Sequence, residues 1–182
     1  MSIVLNGTTG ITTPAVSSTG ASTFAGSLAL PSGGLTVGTD QLVVDSVGRV
    51  TMPYQPAFRA HRTPVAWEAY SLQTVIWNNT SLNIGNHFNT VNGTFTAPIN
   101  GLYYLHFAAY QLNTSASGSA YIHVNGLGDN TYRYCLVQEN TALDMTNHVI
   151  VIQPLLAGDS VTTVVSGDLY TGHSSFSGYL IG

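Results

Sequence analysis

Strict alternation through Tyr103, Leu105 and Phe107, entered by the pair Asn100-Gly101, constrains this chain more than any other feature. Successive strand side chains point to opposite faces, so the run predicts one buried aromatic face and one outward face carrying Tyr104 and His106. Asn-Gly beside such a run is a strong hairpin signal, and Gly101 is expected at a turn position of positive φ, which a Cβ disfavours. Upstream, Trp77, Phe88 and Phe95 are spread through an Asn- and Gly-rich stretch that suits short strands and turns. Residues 120–126, AYIHVNG, predict a strand entering an Asn-Gly turn, with Tyr121 and His123 on the face opposite Ile122. Residues 149–165, VIVIQPLLAGDSVTTVV, predict two paired strands joined at Gly158-Asp159. Short strands bounded by turn residues imply an all-β sandwich.

Composition removes several function classes. Charged residues make up 7% of the chain, against about 25% in a typical soluble domain. Lysine is absent, and the basic residues are Arg49, Arg59, Arg62 and Arg133. Nucleic-acid affinity comes mostly from Lys and Arg neutralising phosphates, so that partner is not expected. A net charge of −4 supplies no polybasic patch for an anionic membrane. One cysteine, Cys135, excludes an intramolecular disulfide and sits in a strand-like run as a buried, inert thiol. The opening MSIVLNGTTG has neither the basic region nor the apolar run of a signal peptide, and no stretch reaches the length of a membrane helix. The sequons at Asn6, Asn78, Asn79, Asn92 and Asn113 are what chance provides in a chain so rich in Asn, Ser and Thr.

Residues 1–34 are mostly Ser, Thr, Gly and Ala. Fixing a backbone costs about 1–2 kcal/mol per residue. The scattered Ile3, Leu5, Ile11, Val16, Phe24, Leu28 and Leu30 return about 1.5–3 kcal/mol each when fully buried. A lone chain cannot bury them fully, so this arm is expected to be ordered by sister chains or by a docking partner. Residues 35–54 read as short strands with turns at Gly38-Thr39 and Val47-Gly48, ended by Pro53 and Pro56. The expected organisation is an extended β arm over 1–34, a β neck over 35–54 and a globular head over 55–182.

The head resembles the complement C1q globular-head family, which shares its jelly roll with tumour necrosis factor. Trp77, Asn83, Phe88, Phe95, Gly101, Tyr103, Leu105 and Phe107 fall at the spacing of that family's signature. Trp77 and Leu105 depart from it, each standing where Phe is usual. Phe176, Gly178 and the closing FSGYLIG resemble its last core strand. The resemblance implies a ten-stranded jelly-roll sandwich that assembles as a homotrimer. In such a trimer the outward Tyr104, His106, Tyr121 and His123 become candidates for facing sister chains. Ahead of the head, VLNGTTGITTP and residues 48–58, GRVTMPYQPAF, resemble the arm and neck of bacteriophage tail fibres. The Gly-X-Y stalk of many animal C1q proteins is missing.

No catalytic motif stands out: there is no nucleophile elbow, phosphate-cradling glycine loop or zinc helix. The six histidines show no metal-ligand spacing, and no metal site is assigned. The family resemblance raises calcium as a possible cofactor, with Asp129, Asp144 and Asp168 as the oxygen donors by type. Tyr132, Arg133, Tyr134, Tyr170 and His173 are the receptor-binding candidates, because exposed tyrosines supply contact area at low entropic cost. A glycan depolymerase needs paired carboxylates in a cleft, which eight acidic residues scarcely supply. The expected function is a non-enzymatic virion fibre. Its trimeric head binds a bacterial surface glycan or protein, and its arm (residues 1–54) holds the particle. The alternative is a capsid decoration protein of mainly structural role.

Overall fold

The computed structural model describes residues 35–37, 41–45, 47–112, 118–126, 133–137 and 145–182, and the account that follows concerns these. Their regular elements are strands, apart from one 3-10 turn at Thr171–His173. The arm over 1–34, with Tyr132, Asp129 and Asp144, lies outside the described residues, as do the side chains of Arg133, Tyr134 and Cys135.

β1 (Leu35–Val37), β2 (Leu42–Val44) and β3 (Val50–Thr51) form a small antiparallel sheet in that order. Its second turn is built by Asp45, whose Oδ1 accepts from the amides of Val47 and Arg49, while Arg49 Nε donates to Oδ2 at 2.6 Å. Gly48 sits in that turn at φ +85°, a conformation open to glycine without steric cost.

Eleven strands build the head, all paired antiparallel. In chain order they are β4 (Ala57–His61), β5 (Trp67–Thr74), β6 (Asn79–Ile84), β7 (Phe88–Asn89), β8 (Thr94–Thr96) and β9 (Gly101–Leu112). There follow β10 (Ser119–Val124), β11 (Arg133–Val137), β12 (Met145–Leu155), β13 (Ser160–Tyr170) and β14 (Ser175–Leu180). One layer runs β6-β4-β14-β9-β12. The other runs β11-β10-β13, with β5 and β8 sharing the far side of β13. The head is a jelly-roll sandwich. The count is one above the expected ten because the two-residue β7 pairs with β8 as a separate short hairpin. The layers join at one end, where Asp168 and Leu169 of β13 pair with Leu112 and Gln111 of β9.

The core is what the alternation predicts. Tyr103, Leu105 and Phe107 are fully buried and meet Trp77, Phe95 and Phe176, also fully buried. Phe58 organises the aromatic cluster, with ring centroids 5.0 Å from Phe88, 4.6 Å from Phe95 and 4.9 Å from Phe176. Such offset and edge-on pairs contribute about 0.5–1.5 kcal/mol beyond the area they bury. Asn83 does different work: its amide donates to the Phe88 carbonyl and accepts from the Phe88 amide, both at 3.0 Å, which clamps the tight turn at Gly85-Asn86.

Two expectations about turns are corrected. Gly101 has no positive φ, and β8 and β9 do not pair with each other. The chain crosses there from one layer to the other, and Gly101 is small because a Cβ would lie 2.5 Å from Leu180 Cδ1 and 3.2 Å from the Gly182 carbonyl oxygen. The Asn-Gly hairpin lies instead at Asn92-Gly93, where Gly93 takes φ +69° between β7 and β8. Likewise β12 and β13 are joined at Gly158, φ +93°, but pair with other strands. Their buried rows come from opposite layers, so the turn spans the sandwich, tied to Ala97 by two backbone hydrogen bonds. Asn125 and Gly126, both of positive φ, form the expected turn after β10.

Gly178 is required by packing. A Cβ there would stand 2.8 Å from Leu105 Cδ2, 2.9 Å from Phe58 Cε1 and 2.9 Å from the Tyr104 carbonyl oxygen.

Candidate functional site

Two surfaces of the head carry more than a solvated strand face needs. The first is the outward side of the five-stranded layer. Register places Ile152, Tyr104 and Tyr179 in one row across β12, β9 and β14, and Ile150, His106 and Ser177 in the next. Ile150 and Ile152 are each 57% exposed and Tyr179 49%, with Leu102 and Ile181 also open. Contiguous apolar exposure of this kind marks an interaction surface. Tyr104 stacks on Tyr179 at 5.2 Å. His106 Nε2 and His148 Nδ1 lie 2.9 Å apart with their rings stacked. Burial, then the neighbouring His148 charge, lowers the pKa of His106 and favours its neutral form.

Tyr104 and His106 thus occupy the outward face that alternation assigns them. Tyr121 is half-buried on β10, in the opposite layer, with its ring against His123. His123 is 1% exposed, so the chain itself covers it and it is not an open face residue. The period-two pattern gives the side of the strand but not what is folded over that side.

The second surface is a cavity of about 440 Å³ at the β4-β6 edge of the same layer. Arg59 and His61 of β4, Arg62, Ser81 of β6, Ser175 of β14 and His173 are among its lining residues. A bulge in the β4-β6 ladder, where Arg59 pairs with Leu82 and Ala60 with Thr80, leaves Ser81 as the extra residue at the cavity wall. The 3-10 turn forms the opposite wall. Thr171 holds that turn to the segment before β5, accepting from the Ala66 amide at 2.9 Å and donating to the Ala66 carbonyl at 3.0 Å.

Beside the turn stands an aromatic group. Trp67 lies 5.0 Å from Tyr170 and 5.7 Å from Tyr110, and His173 meets Tyr170 at 5.0 Å and Tyr110 at 5.2 Å. Of the sequence-derived receptor candidates, Tyr170 and His173 come together here. Arg133 and Tyr134, on β11, pair through their backbones with His123 and Ile122 of β10. Sequence reasoning missed Arg59, His61 and Trp67. The signal was present: Arg59, His61 and Arg62 concentrate basic side chains in a chain with four arginines and no lysine.

Arg62 is committed elsewhere. Its Nε donates to Glu68 Oε1 at 2.6 Å and its Nη1 to the Ile76 carbonyl at 2.7 Å, while Tyr70 donates to Glu68 Oε2 at 2.7 Å. Burial alone raises the pKa of Glu68, but the hydrogen bonds from Arg62 and Tyr70 and the Arg62 charge outweigh it and hold the carboxyl below its usual range. Burial, then the bond to Glu68, pushes the Tyr70 phenol well up. A depressed folded-state pKa means the carboxylate stabilises the fold above its unfolded value of about 4.3, and that contribution is lost as pH falls through the folded value. Melting temperature should therefore drop as pH is lowered below about 4.3, and Glu68→Gln should shrink that drop. An identical acid profile in the variant removes this assignment.

Among the described residues no group of three His, Cys, Asp or Glu side chains could hold a metal, and Asp129 and Asp144 lie outside those residues. Asp168 is the one calcium candidate described, in the β13 ladder opposite Ala69 and Leu112.

An eleven-strand jelly-roll head with an apolar sheet face and an edge cavity defines the class. The C1q domain model matches residues 57–181, more than half of the chain, and the chain belongs to the C1q domain family. No curated protein matches it in sequence. Among solved structures it is similar to the globular domain of the zebrafish complement 1qA protein, with TM-score 0.58 and 18% identity over 70% of this chain and 98% of that one. It is also similar to murine APRIL, with TM-score 0.57 and 10% identity over 70% and 99%. Eiger TNF from S. frugiperda gives TM-score 0.52 and 14% identity over 70% and 93%. At these identities the likeness is one of fold.

Proposed function

We propose that this chain is the subunit of a homotrimeric, non-enzymatic virion fibre. Its C1q domain binds a bacterial surface receptor, and residues 1–54 attach it to a phage particle. The observation that carries the reading is the outward apolar face on β9, β12 and β14, where Ile150, Ile152 and Tyr179 stand in open rows. Self-association through this face gives those side chains a partner. Trimers on one particle present many copies of each site, and linked binding raises overall affinity by about 10²–10⁴ without new contacts. The resemblance of residues 48–58 to fibre necks supports placement on a virion.

The test is light scattering followed by staining of a panel of bacteria with fluorescent full-length protein, alongside a fragment spanning 55–182 once circular dichroism shows it folded. Specific staining by a trimer, retained by the head, supports the receptor reading. A trimer that stains nothing but binds phage shells through residues 1–54 replaces it with a capsid decoration role.

A further inference from the structure

We propose that the edge cavity binds an acidic saccharide, with the anionic group on Arg59, in a lining shared with His61 and His173, and the sugar reaching from there to the neighbouring Trp67–Tyr170 aromatics. The inference rests on the head being a ligand-binding domain and names the ligand class that one of its sites takes.

Charge supports it first. The chain is net acidic, yet two of its four basic residues line this one cavity, and none of the lining residues is Asp or Glu. The two arginines differ in state. Arg62 is occupied by Glu68 and the Ile76 carbonyl. In the single subunit Arg59 is exposed on β4, at the outer end of the row that Ser177, His106 and Ile150 continue, and among the described residues no carboxylate pairs with it. Its guanidinium offers a planar fork of donors suited to bidentate binding of a carboxylate or phosphate.

The rest of the lining selects a sugar over a bare anion. Ser81 and Ser175 bring hydroxyls that donate and accept, which matches the alternating hydroxyls of a pyranose. Gly172 lets the wall close: a Cβ there would lie 2.4 Å from Val65 Cγ1 and 2.9 Å from the Tyr170 ring. The aromatic group therefore begins where the polar wall ends, and His173 belongs to both. Trp67 does not line the cavity itself; it is 43% exposed and packs on Tyr170, whose ring meets His173 of the lining, so its free ring surface is offered to a sugar that extends past the cavity. A volume of about 440 Å³ falls in the range of small-molecule sites, about 300–1,000 Å³.

Ligand-observed NMR titration of the full-length protein tests this with three probes: D-glucuronate, D-glucose 6-phosphate and neutral D-glucose. Expected is millimolar binding of at least one anionic sugar, with glucose about tenfold weaker or undetectable, as loss of a charge-assisted pair predicts. The tighter of the two anions tells whether the natural source is a uronic-acid polysaccharide or a phosphorylated one. Arg59→Gln should weaken anion binding about tenfold with an unchanged melting temperature, while Arg49→Gln, in the β2-β3 turn, should leave it unchanged. Equal binding of glucose and the anionic sugars, no binding of either anion, or full binding by Arg59→Gln overturns the site. Bacterial staining that persists when the site fails leaves the receptor reading standing. Sugar binding by a protein that stains no bacterium does the reverse.

Discussion

Ile150→Glu combined with Ile152→Glu is expected to convert the proposed trimer to monomers that remain folded. Both positions are 57% exposed in the single chain, so the substituted carboxylates stay hydrated in the isolated subunit. In an assembly through this face, each carboxylate would be taken out of water beside Tyr104, Tyr179 and Leu102, and burying an unpaired charge costs several kcal/mol. With two such charges per subunit and three subunits, no plausible interface tolerates the change. Light scattering should show the parent at three times the 19.2 kDa chain mass and the variant at one. Val91→Glu is the control: Val91 is 85% exposed in the β7-β8 loop, on none of the strands that carry this face, and should leave the mass unchanged. A double variant that keeps the parent mass would place the contact surface elsewhere.

The second large effect concerns the core. Trp77 is fully buried, packs edge-on against Phe107 at 5.8 Å, and donates from Nε1 to Thr163 Oγ1 at 2.8 Å. It thereby ties the segment between β5 and β6 to β13 in the second layer. Trp77→Ala removes the ring, opens a cavity and leaves the Thr163 hydroxyl short of a partner. The expected cost is about 3–5 kcal/mol. At about 2–4 °C per kcal/mol for a chain of this size, the melting temperature should fall by about 6–20 °C. Trp77→Phe should recover most of the loss, because it keeps an aromatic ring and forfeits mainly the hydrogen bond. A melting temperature unchanged in Trp77→Ala would show that the indole is not a keystone between the layers.

These two effects mark what could and could not be read from residues alone. Alternation in Tyr103, Leu105 and Phe107 has period two, and only a strand puts that set on one side, so the buried face followed directly. The aromatic spacing from Trp77 to Phe107 pointed to the same core that Phe58 and Phe176 complete. Gly158 and the Asn125-Gly126 pair take the positive φ that their residue types permit. Chemistry local to a few residues was legible because it depends on backbone sterics and side-chain direction, which travel with the sequence.

Pairing partners were not legible. Asn100-Gly101 and Gly158-Asp159 look like hairpin turns, but each carries the chain across the sandwich, because β9 pairs with β12 and β14 and β13 pairs with β10 and β5. The hydrogen bonds of a strand are satisfied by whichever neighbour buries the shared face best, and that neighbour is far along the chain. The same holds for His123, outward by alternation yet covered by the fold. It holds most for the edge cavity, where β4, β6, β14 and the 3-10 turn bring Arg59, Ser81, Ser175 and His173 together from distant segments. The sequence by itself determined a strand-built, aromatic-cored sandwich, since periodicity and residue type act locally. Only the tertiary structure decided the layer order, the open Ile150–Ile152 face and the cationic cavity, since each depends on long-range pairing that no local pattern encodes.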